Sequence, residues 1–260
     1  MTDATHDAAR HARQEEFSAK VRDGSPDALK DLAQNPALNE EQALILLARK
    51  DLPAALVEEI ATRKQLLKNY AIKKALVLHP HTSRLVSLRL LRDLYLMDLV
   101  QLTLAPGALA ELKRNAEEQL IARLPQLPLG QKITLARRGP GRVAGALLAE
   151  GHAPVLSVVL DNANLSESHV LKALSRPKLA PRVVEAISQH KKWSQTYNVR
   201  LALVRQPSAT LATILSVLPE LTVSDLRELS APGIVAENIR RYLLAEIERR
   251  LSRGKNRPLE

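Results

Sequence analysis

Two stretches of the chain combine basic with aromatic side chains, the combination that phosphate contacts and base stacking require. They are offset by 127 positions, and each surrounds a tyrosine. Their candidate binding residues are Arg63, Lys64, Lys68, Lys73, Lys191, Lys192, Trp193 and Arg200. In the alternative interpretation, Leu66 and Trp193 fill the gap between consecutive helices while the cations stay in solvent. The pattern therefore predicts either an anion-binding surface or a packing seam.

A second basic cluster lies in the segment ARRGPGRVAG, where Arg137, Arg138 and Arg142 surround glycines. Glycine beside arginine at a helix start can form a phosphate cradle. However, no strand pattern precedes the segment, and it matches neither a Walker A loop nor GxGxxG. Gly139 also aligns with Pro207 of a repeated turn, so an inter-helix turn is the simpler interpretation. The three arginines remain candidates for a basic stripe.

Residue types that serve catalysis or metal binding form no recognisable motif in the sequence. The close pair His79 and His81 flanks a proline and lacks the i,i+4 spacing of a helical metal site. The chain has no cysteine, which excludes disulfides and thiolate metal ligands. We expect no catalytic residue, no metal and no cofactor. A catalytic triad is spatial, so this expectation concerns motifs alone.

The net charge of the 260-residue chain is +10, and the excess is spread along its length. Such a charge suits an acidic partner, whether nucleic acid, an anionic membrane surface or an acidic protein. Hydrophobic residues make up 45% of the chain but aromatic ones only 2%, so the core must consist of Leu, Val, Ile and Ala. Neither a signal peptide nor a long apolar run is present, which predicts no membrane insertion and a cytoplasmic location.

The chain contains an internal repeat, and its two copies are related by the same offset as the two basic stretches. Residues 35–102 and 162–229 are identical at 22 positions without a gap. The clearest unit is Tyr197–Leu218, whose degenerate copy is Tyr70–Leu91. Function is expected where the copies differ, for example at Leu66 against Trp193 or Lys74 against Leu201. The predicted regions are a first half, a second half and a basic tail, at residues 1–127, 128–254 and 255–260.

Proline-centred turns separate short apolar segments in both halves. Proline and the residue before it disfavour helix, so each turn ends one helix and allows the next to begin. Helices of about ten residues are too short to be stable alone and must stack on neighbours. The predicted helices are 1–22, 26–34, 40–49, 53–62, 69–78, 83–92, 96–104, 108–124, 130–137, 141–149, 153–161, 167–175, 181–190, 197–205, 210–218, 223–230 and 235–252.

The last predicted helix has the clearest apolar stripe. Its i,i+4 positions are Val235, Ile239, Leu243, Ile247 and Leu251, and we expect Tyr242 and Leu244 to widen the stripe. On the other faces, favourable i,i+4 ion pairs are expected for Glu237 with Arg241 and for Glu246 with Arg250.

The run NVRLALVRQPSATLATIL resembles repeats of the HEAT-like and leucine-rich-repeat-variant α-solenoids. In those repeats a helix with Val-Arg-x-Ala-Val precedes an Asn-Pro-x-Thr-Pro-like turn and a second, leucine-bearing helix. The residues that fit are Val199, Arg200, Ala202, Pro207 and Leu215, and in the first copy Ile72, Lys73, Ala75, Pro80, Thr82 and Leu88. The second proline of the turn is absent, as is the cysteine cluster that holds an iron–sulfur centre in some variant-repeat proteins. The resemblance implies binding as the commonest role and carries over no catalytic residue.

The expected fold is therefore all-α: a right-handed α-solenoid of short antiparallel helices, internally duplicated. Its expected function is that of a non-enzymatic scaffold for a protein partner, which the charge predicts to be acidic. The alternative is nucleic-acid backbone binding through a basic face, which gains if the cations line one face and loses if they scatter. A third hypothesis, a HEAT-like DNA-lesion enzyme, is disfavoured because the chain has one tryptophan and no Trp–Asp–Trp grouping.

Overall fold

The computed structural model describes residues 15–22 and 24–255. In this part of the chain all regular structure is helical, and no strand is present. The described residues form two compact units that divide between Leu120 and Ile121, called here the first unit and the second unit. The prediction of an all-α protein is confirmed, and the helices are compatible with a helical repeat fold.

The helices up to the division are α1 (15–22), α2 (Pro26–Gln34), α3 (Glu40–Ala48), α4 (Ala54–Thr62), α5 (Tyr70–Leu78), α6 (Arg84–Leu91), α7 (Leu96–Leu104) and α8 (Ala110–Arg123), in which the division falls. The second unit continues with α9 (Leu129–Arg138), α10 (Gly141–Glu150), α11 (Ala153–Leu160), α12 (Glu167–Leu174), α13 (Pro181–Gln189), α14 (Tyr197–Arg205), α15 (Leu211–Val217), α16 (Val223–Leu229) and α17 (Glu237–Lys255). Short 3-10 turns lie at Leu66–Lys68, Leu124–Gln126, Trp193–Gln195 and Leu218–Glu220.

The predicted helices between residues 26 and 252 are all present, with ends that differ by at most three residues. Of the predicted helix 1–22, the part before residue 15 lies outside the described residues, as does most of the predicted tail, from residue 256. Lys255 is the last residue of α17. The sequence offset places the boundary between halves at 127/128, whereas the contacts divide the chain inside α8. The two predicted halves therefore stay a prediction.

Polar caps start several of the helices. The Asn39 side chain accepts a hydrogen bond from the Gln42 amide, and the Gln42 side chain accepts one from the Asn39 amide, which forms a capping box for α3. Thr222 and Asp225 form the same reciprocal pair at the start of α16. These caps satisfy amides that have no partner inside the helix.

In the second unit, helices pack on the helix two places further along the chain. Contacts join α9, α11, α13 and α15 in one row and α10, α12, α14 and α16 in another. The first unit has the same spacing where α2 packs on α4 and α3 packs on α5. Helices this short depend on such neighbours for their stability, as the sequence predicts.

Side chains from one helix pair bond to the carbonyls that end the pair before it. In the first unit, Arg63 donates to the carbonyls of Ala33, at 2.6 Å, and Asn35, at 2.7 Å. In the second unit, the Trp193 indole donates to the carbonyl of Leu160 at 3.0 Å. The last carbonyls of a helix lack intrahelical partners, so these bonds satisfy them and fix the spacing of successive pairs.

The core consists of aliphatic side chains, and the apolar stripe of α17 is narrower than predicted. Ile239, Leu243 and Ile247 are buried, whereas Tyr242 and Leu244 are exposed. Successive helical residues are separated by about 100°, so these two neighbours of Leu243 point away from the contact with α16. Leu251 is two i,i+4 steps beyond Leu243, which rotates it by about 80° around the helix axis. It is also exposed.

The two ion pairs predicted on α17 have different outcomes. Glu246 binds Arg250 at 2.7 Å, as expected. Glu237 instead contacts Arg240, at 3.3 Å, because i,i+3 positions are also neighbours on a helix surface. The pair predicted between Glu237 and Arg241 is therefore wrong.

Candidate functional site

A groove of about 610 Å³ in the first unit collects the cations that precede α5. It lies between the loop after α2 and the loop after α4, which the Arg63 guanidinium holds together. Lys64 and Lys68 line the groove and are exposed. Arg63 also lies 3.6 Å from Glu59 and is committed to internal contacts. The lysines are therefore the groups that a ligand could reach.

The second unit has a corresponding groove of about 560 Å³. Lys191, which lines it, is the counterpart of Lys64 in the second copy of the repeat, and Asp161 and Asn162 form the opposite side. His190 contacts Asp161 at 3.1 Å, and the Lys192 ammonium lies 4.1 Å from the centre of the Trp193 ring. Both lysines are exposed at the surface.

Trp193 and Leu66 occupy equivalent buried positions beside these grooves. Trp193 is 2% exposed and Leu66 is 5% exposed. The indole therefore offers no face for stacking a base, and its burial supports the packing interpretation. The phenol rings differ, since Tyr197 remains 40% exposed and does not act as a buried filler.

Lys73 and Arg200 form ion pairs within the protein. Lys73 binds Asp93 at 2.6 Å, and Arg200 lies 3.4 Å from Glu220, which occupies the equivalent position. Arg200 is only 9% exposed and also donates to the carbonyl of Ser194 at 2.7 Å. These two candidates hold the helices together, so neither belongs to a free cationic surface.

Arg137 and Arg138 are exposed at the end of α9. Asn162 ties the following loop to the loop after α11, through bonds to the carbonyls of Ala136 and Gly139 at 2.7 and 3.2 Å. The Trp193 indole in turn ties the loop after α11 to that after α13. The three loops therefore lie side by side and form the basic edge of the second unit, which comprises Arg137, Arg138, Lys191 and Lys192.

The glycines of the ARRGPGRVAG segment serve close packing. A Cβ on Gly139 would lie 2.5 Å from the Leu135 carbonyl oxygen, and one on Gly141 would lie 2.4 Å from that of Asn164. Arg142 is half-buried on α10 and lines a cleft together with His169 and Lys172 of α12. These contacts support the interpretation of the segment as an inter-helix turn.

A tyrosine and an aspartate pair in each unit, in a contact that connects α5 to α7 and α14 to α16. The Tyr70 hydroxyl donates to Asp98, and the Tyr197 hydroxyl donates to Asp225. Burial and the bond to Asp98 raise the pKa of Tyr70 to about 12. Burial tends to raise the pKa of Asp98, but hydrogen bonds from Lys74 and Tyr70 hold it below its ordinary value.

The pKa of Asp225 is also lowered, by hydrogen bonds from Thr222 and then from Tyr197. In the first unit Lys74 contributes a salt bridge to Asp98 at 2.7 Å, whereas Leu201 replaces it in the second. The shared Tyr–Asp contact is thus structural in both units, and the nearby surface is charged in one and apolar in the other.

Two clefts beside α12, in the second unit, are candidate binding features that the sequence analysis missed. One lies against α10 and contains Arg142, Lys172 and Arg176; the other lies against α14 and contains Leu171 and Leu201. The offset alignment holds a signal for them, because Lys172 replaces Ile45 and Leu201 replaces Lys74.

Metal-ligating groups do not assemble within the described residues. No cluster of three or more His, Cys, Asp or Glu side chains occurs there. His79 and His81 instead bond to the backbone carbonyls of Arg49 and Leu52, each at 2.7 Å. The buried Lys132 binds Glu150 at 2.7 Å and connects α9 to the end of α10.

In the described part of the chain, no helix has both the length and the apolar character needed to cross a membrane. No family model matches the chain, and neither the curated proteins nor the solved structures include a significant match.

Proposed function

We propose that the protein is a non-enzymatic helical-repeat scaffold that binds an acidic protein partner through its exposed basic loops. The observation that carries this proposal is the basic edge of the second unit, where the end of α9 presents Arg137 and Arg138 and the loop after α13 presents Lys191 and Lys192, on either side of the loop after α11. Cations at one edge attract an acidic surface and accelerate its association. The exposed Lys64 and Lys68 of the first unit supply the same chemistry.

The scaffold is an internally duplicated, right-handed α-solenoid of antiparallel helices similar to HEAT-like and leucine-rich-repeat-variant proteins. The helix starts support the duplication. The first residues of the helices α2 to α8 align, in the same order and at the offset of the sequence repeat, with those of the helices α11 to α17. The 3-10 turns at Leu66–Lys68 and Trp193–Gln195 have the same offset. The contacts between alternate helices support the solenoid.

An acidic protein is a better fit to the exposed groups than nucleic acid. Base stacking requires accessible aromatic faces, and the Trp193 ring is buried between the basic loops. Arg200 and Lys73, two of the expected phosphate contacts, are held in internal ion pairs. A cytoplasmic location, which the sequence analysis expects, is part of the same proposal.

The test compares partners captured from lysate by the full chain and by a charge-reversed variant, K64E/K68E/K191E/K192E. A matched control reverses four exposed bases elsewhere: Lys30, Arg89, Arg227 and Arg241. We expect to recover a protein that survives nuclease treatment, that the charge-reversed variant loses and that the control variant retains.

Nuclease-sensitive recovery alone would overturn the scaffold hypothesis and favour the nucleic-acid alternative. Mobility shifts of a single-stranded oligonucleotide at several salt concentrations examine that alternative directly, because backbone binding weakens steeply with salt. Equal recovery by the charge-reversed variant and the wild type would show that the partner binds elsewhere.

A further inference from the structure

Helix α12 separates two clefts of different chemistry in the second unit. The cleft between α10 and α12 has a volume of about 230 Å³ and is lined by Arg142, His169, Lys172 and Arg176. The other residues that line the cleft are the small Gly145, Ala146 and Ala173, and Ile121. The basic groups therefore surround a space that suits compact anionic side chains.

The cleft between α12 and α14 has a volume of about 520 Å³ and a largely aliphatic wall. Leu171 and Leu201 are half-buried in it, and Arg176 and Arg205 lie at its margin. Arg176 lines both clefts. A ligand that crosses α12 would meet cations on one side and an apolar surface on the other.

The charged side chains that line the two clefts are all cationic. Neither cleft has an Asp or Glu among its described lining residues. Arg205 binds Glu228 at 2.6 Å, but Lys172 and Arg176 are exposed and form no ion pair with the described residues. An acidic occupant would therefore supply the countercharge that Lys172 and Arg176 lack among the described residues.

The equivalent arginine in the first unit is neutralised. Arg49 binds Asp51 there through two contacts, at 2.6 and 3.0 Å. In the second unit Lys178 stands at the position of Asp51 and adds a further positive charge beside Arg176. The cation is thus paired internally in one unit and available in the other.

The apolar wall favours an acidic peptide over a nucleic acid. Neither cleft has a phenylalanine, tyrosine or tryptophan in its described lining, so the large aromatic planes that favour base stacking are absent there. Leucine and alanine walls suit a branched aliphatic side chain, whose burial stabilises a complex. The pairing of an aliphatic cleft with a basic one therefore fits a segment that has both acidic and aliphatic residues.

We propose that the two clefts beside α12 bind an acidic peptide segment of a partner protein. Its carboxylates contact Lys172 and Arg176, and an aliphatic side chain enters the cleft beside Leu171 and Leu201. Neighbouring helices are separated by about 8–10 Å. An extended chain covers this distance in about three residues, so the acidic and aliphatic positions are expected to be about three apart. This proposal goes beyond the basic edge, since none of these residues belongs to it.

The test measures fluorescence anisotropy of the full chain with a labelled peptide, GSEESSLLSG in one-letter code. The matched peptides are GSKKSSLLSG, which reverses the charge, and GSEESSSSSG, which removes the leucines. We expect the first peptide to bind at least tenfold more tightly than either control. A ten-nucleotide oligothymidylate reports whether a flexible polyanion alone is sufficient.

Three protein variants locate the binding. K172E/R176E should weaken binding at least tenfold, and L201K, which introduces the residue of the first unit, should weaken it several-fold. K191E/K192E, on the basic edge, should leave the affinity unchanged. Circular dichroism verifies that each variant is folded, and R176A is the milder alternative should the double reversal unfold.

The proposal is overturned if the first peptide shows no saturable binding at millimolar concentration, or if K172E/R176E binds it as tightly as the wild type. Preferential binding of the oligothymidylate would also overturn it. Loss of peptide binding in the edge variant alone would place the peptide on the basic edge. That result would leave the proposed scaffold function intact while removing the α12 site.

Discussion

The turn before α5 in the first unit and the turn before α14 in the second have the same course but different hydrogen bonds. In the first, the Arg63 guanidinium donates to the carbonyls of Ala33 and Asn35. In the second, the indole of Trp193 donates to the carbonyl of Leu160, while His190 stands in the position of Arg63. The physical requirement is a donor for the end of the preceding helix, and different residue types can meet it.

The turns at the other ends of these helices show the same principle. His79 contacts the carbonyl of Arg49 at 2.7 Å, and Gln206, its counterpart in the second unit, donates to the carbonyl of Arg176 at 3.0 Å. Both side chains are buried. A difference in sequence at such a position therefore indicates an alternative way to join helices and is a poor indicator of function.

The largest expected effect concerns Trp193 and Leu66, the buried residues at equivalent positions of the two turns. We expect W193A to lower the free energy of unfolding by about 3–5 kcal/mol, since it removes a large buried side chain. L66A, at the equivalent position, should cost at least about 1 kcal/mol less, because no side-chain hydrogen bond is lost. Urea unfolding followed by circular dichroism measures both, and equal costs would contradict the comparison.

A second, smaller contrast concerns the paired cations that follow the turns. R200A should cost about 1.5–3 kcal/mol, because Arg200 is buried and its loss leaves the Ser194 carbonyl without this donor. K73A removes a more exposed pair with Asp93 and should cost about 0–1 kcal/mol. The same denaturation experiment applies, with R200K as a control that keeps the charge. If K73A were the costlier change, the assignment of Arg200 to packing would be wrong.

The helical architecture was largely predictable because its signals are local. At the proline turns the preceding helix ends two or three residues before the proline, as α5 does at Leu78 before Pro80. The short apolar segments between the turns leave stacked helices as the stable arrangement. The interior position of Arg200 was not predictable, because it depends on Glu220 and Ser194 lying on the facing turns. The clefts beside α12 likewise depend on how three helices meet, and only Lys172 and Leu201 mark them in the aligned copies.

A third contrast concerns the tyrosines that pair with aspartate. An alkaline absorbance titration of the folded protein should reveal a phenol with a pKa near 12, and Y70F should remove it. Since this pKa lies above its unfolded value of about 10, the contribution of Tyr70 to stability is complete below pH 10. It is lost as the pH rises through 12.

Y70F should lower the free energy of unfolding by about 1–2 kcal/mol, because the hydrogen bond to Asp98 is lost. Y197F should cost less, because Tyr197 is 40% exposed, whereas the Tyr70 hydroxyl also accepts a hydrogen bond from the Tyr95 amide at 2.9 Å. A late-titrating phenol that persists in Y70F would show that another tyrosine is responsible.

The last prediction, with the smallest expected change in stability, tests the difference between the paired Arg49 and Arg176, which forms no ion pair with the described residues. The variant K178D gives Arg176 the partner that Asp51 provides for Arg49, and an exposed ion pair should change the unfolding free energy by less than about 1 kcal/mol. Peptide binding responds more strongly, because the new carboxylate competes with those of GSEESSLLSG. We expect K178D to weaken that binding several-fold in the anisotropy measurement.

Two controls separate pairing from net charge. K178S removes the positive charge without supplying a partner. R227D makes the same change of charge as K178D, at an exposed position on α16. If pairing decides availability, the loss of affinity should be clearly greater for K178D than for either control. Equal losses in all three variants would mean that the peptide responds to overall charge. The contrast between a neutralised Arg49 and an available Arg176 would then not explain why the second unit has the binding surface.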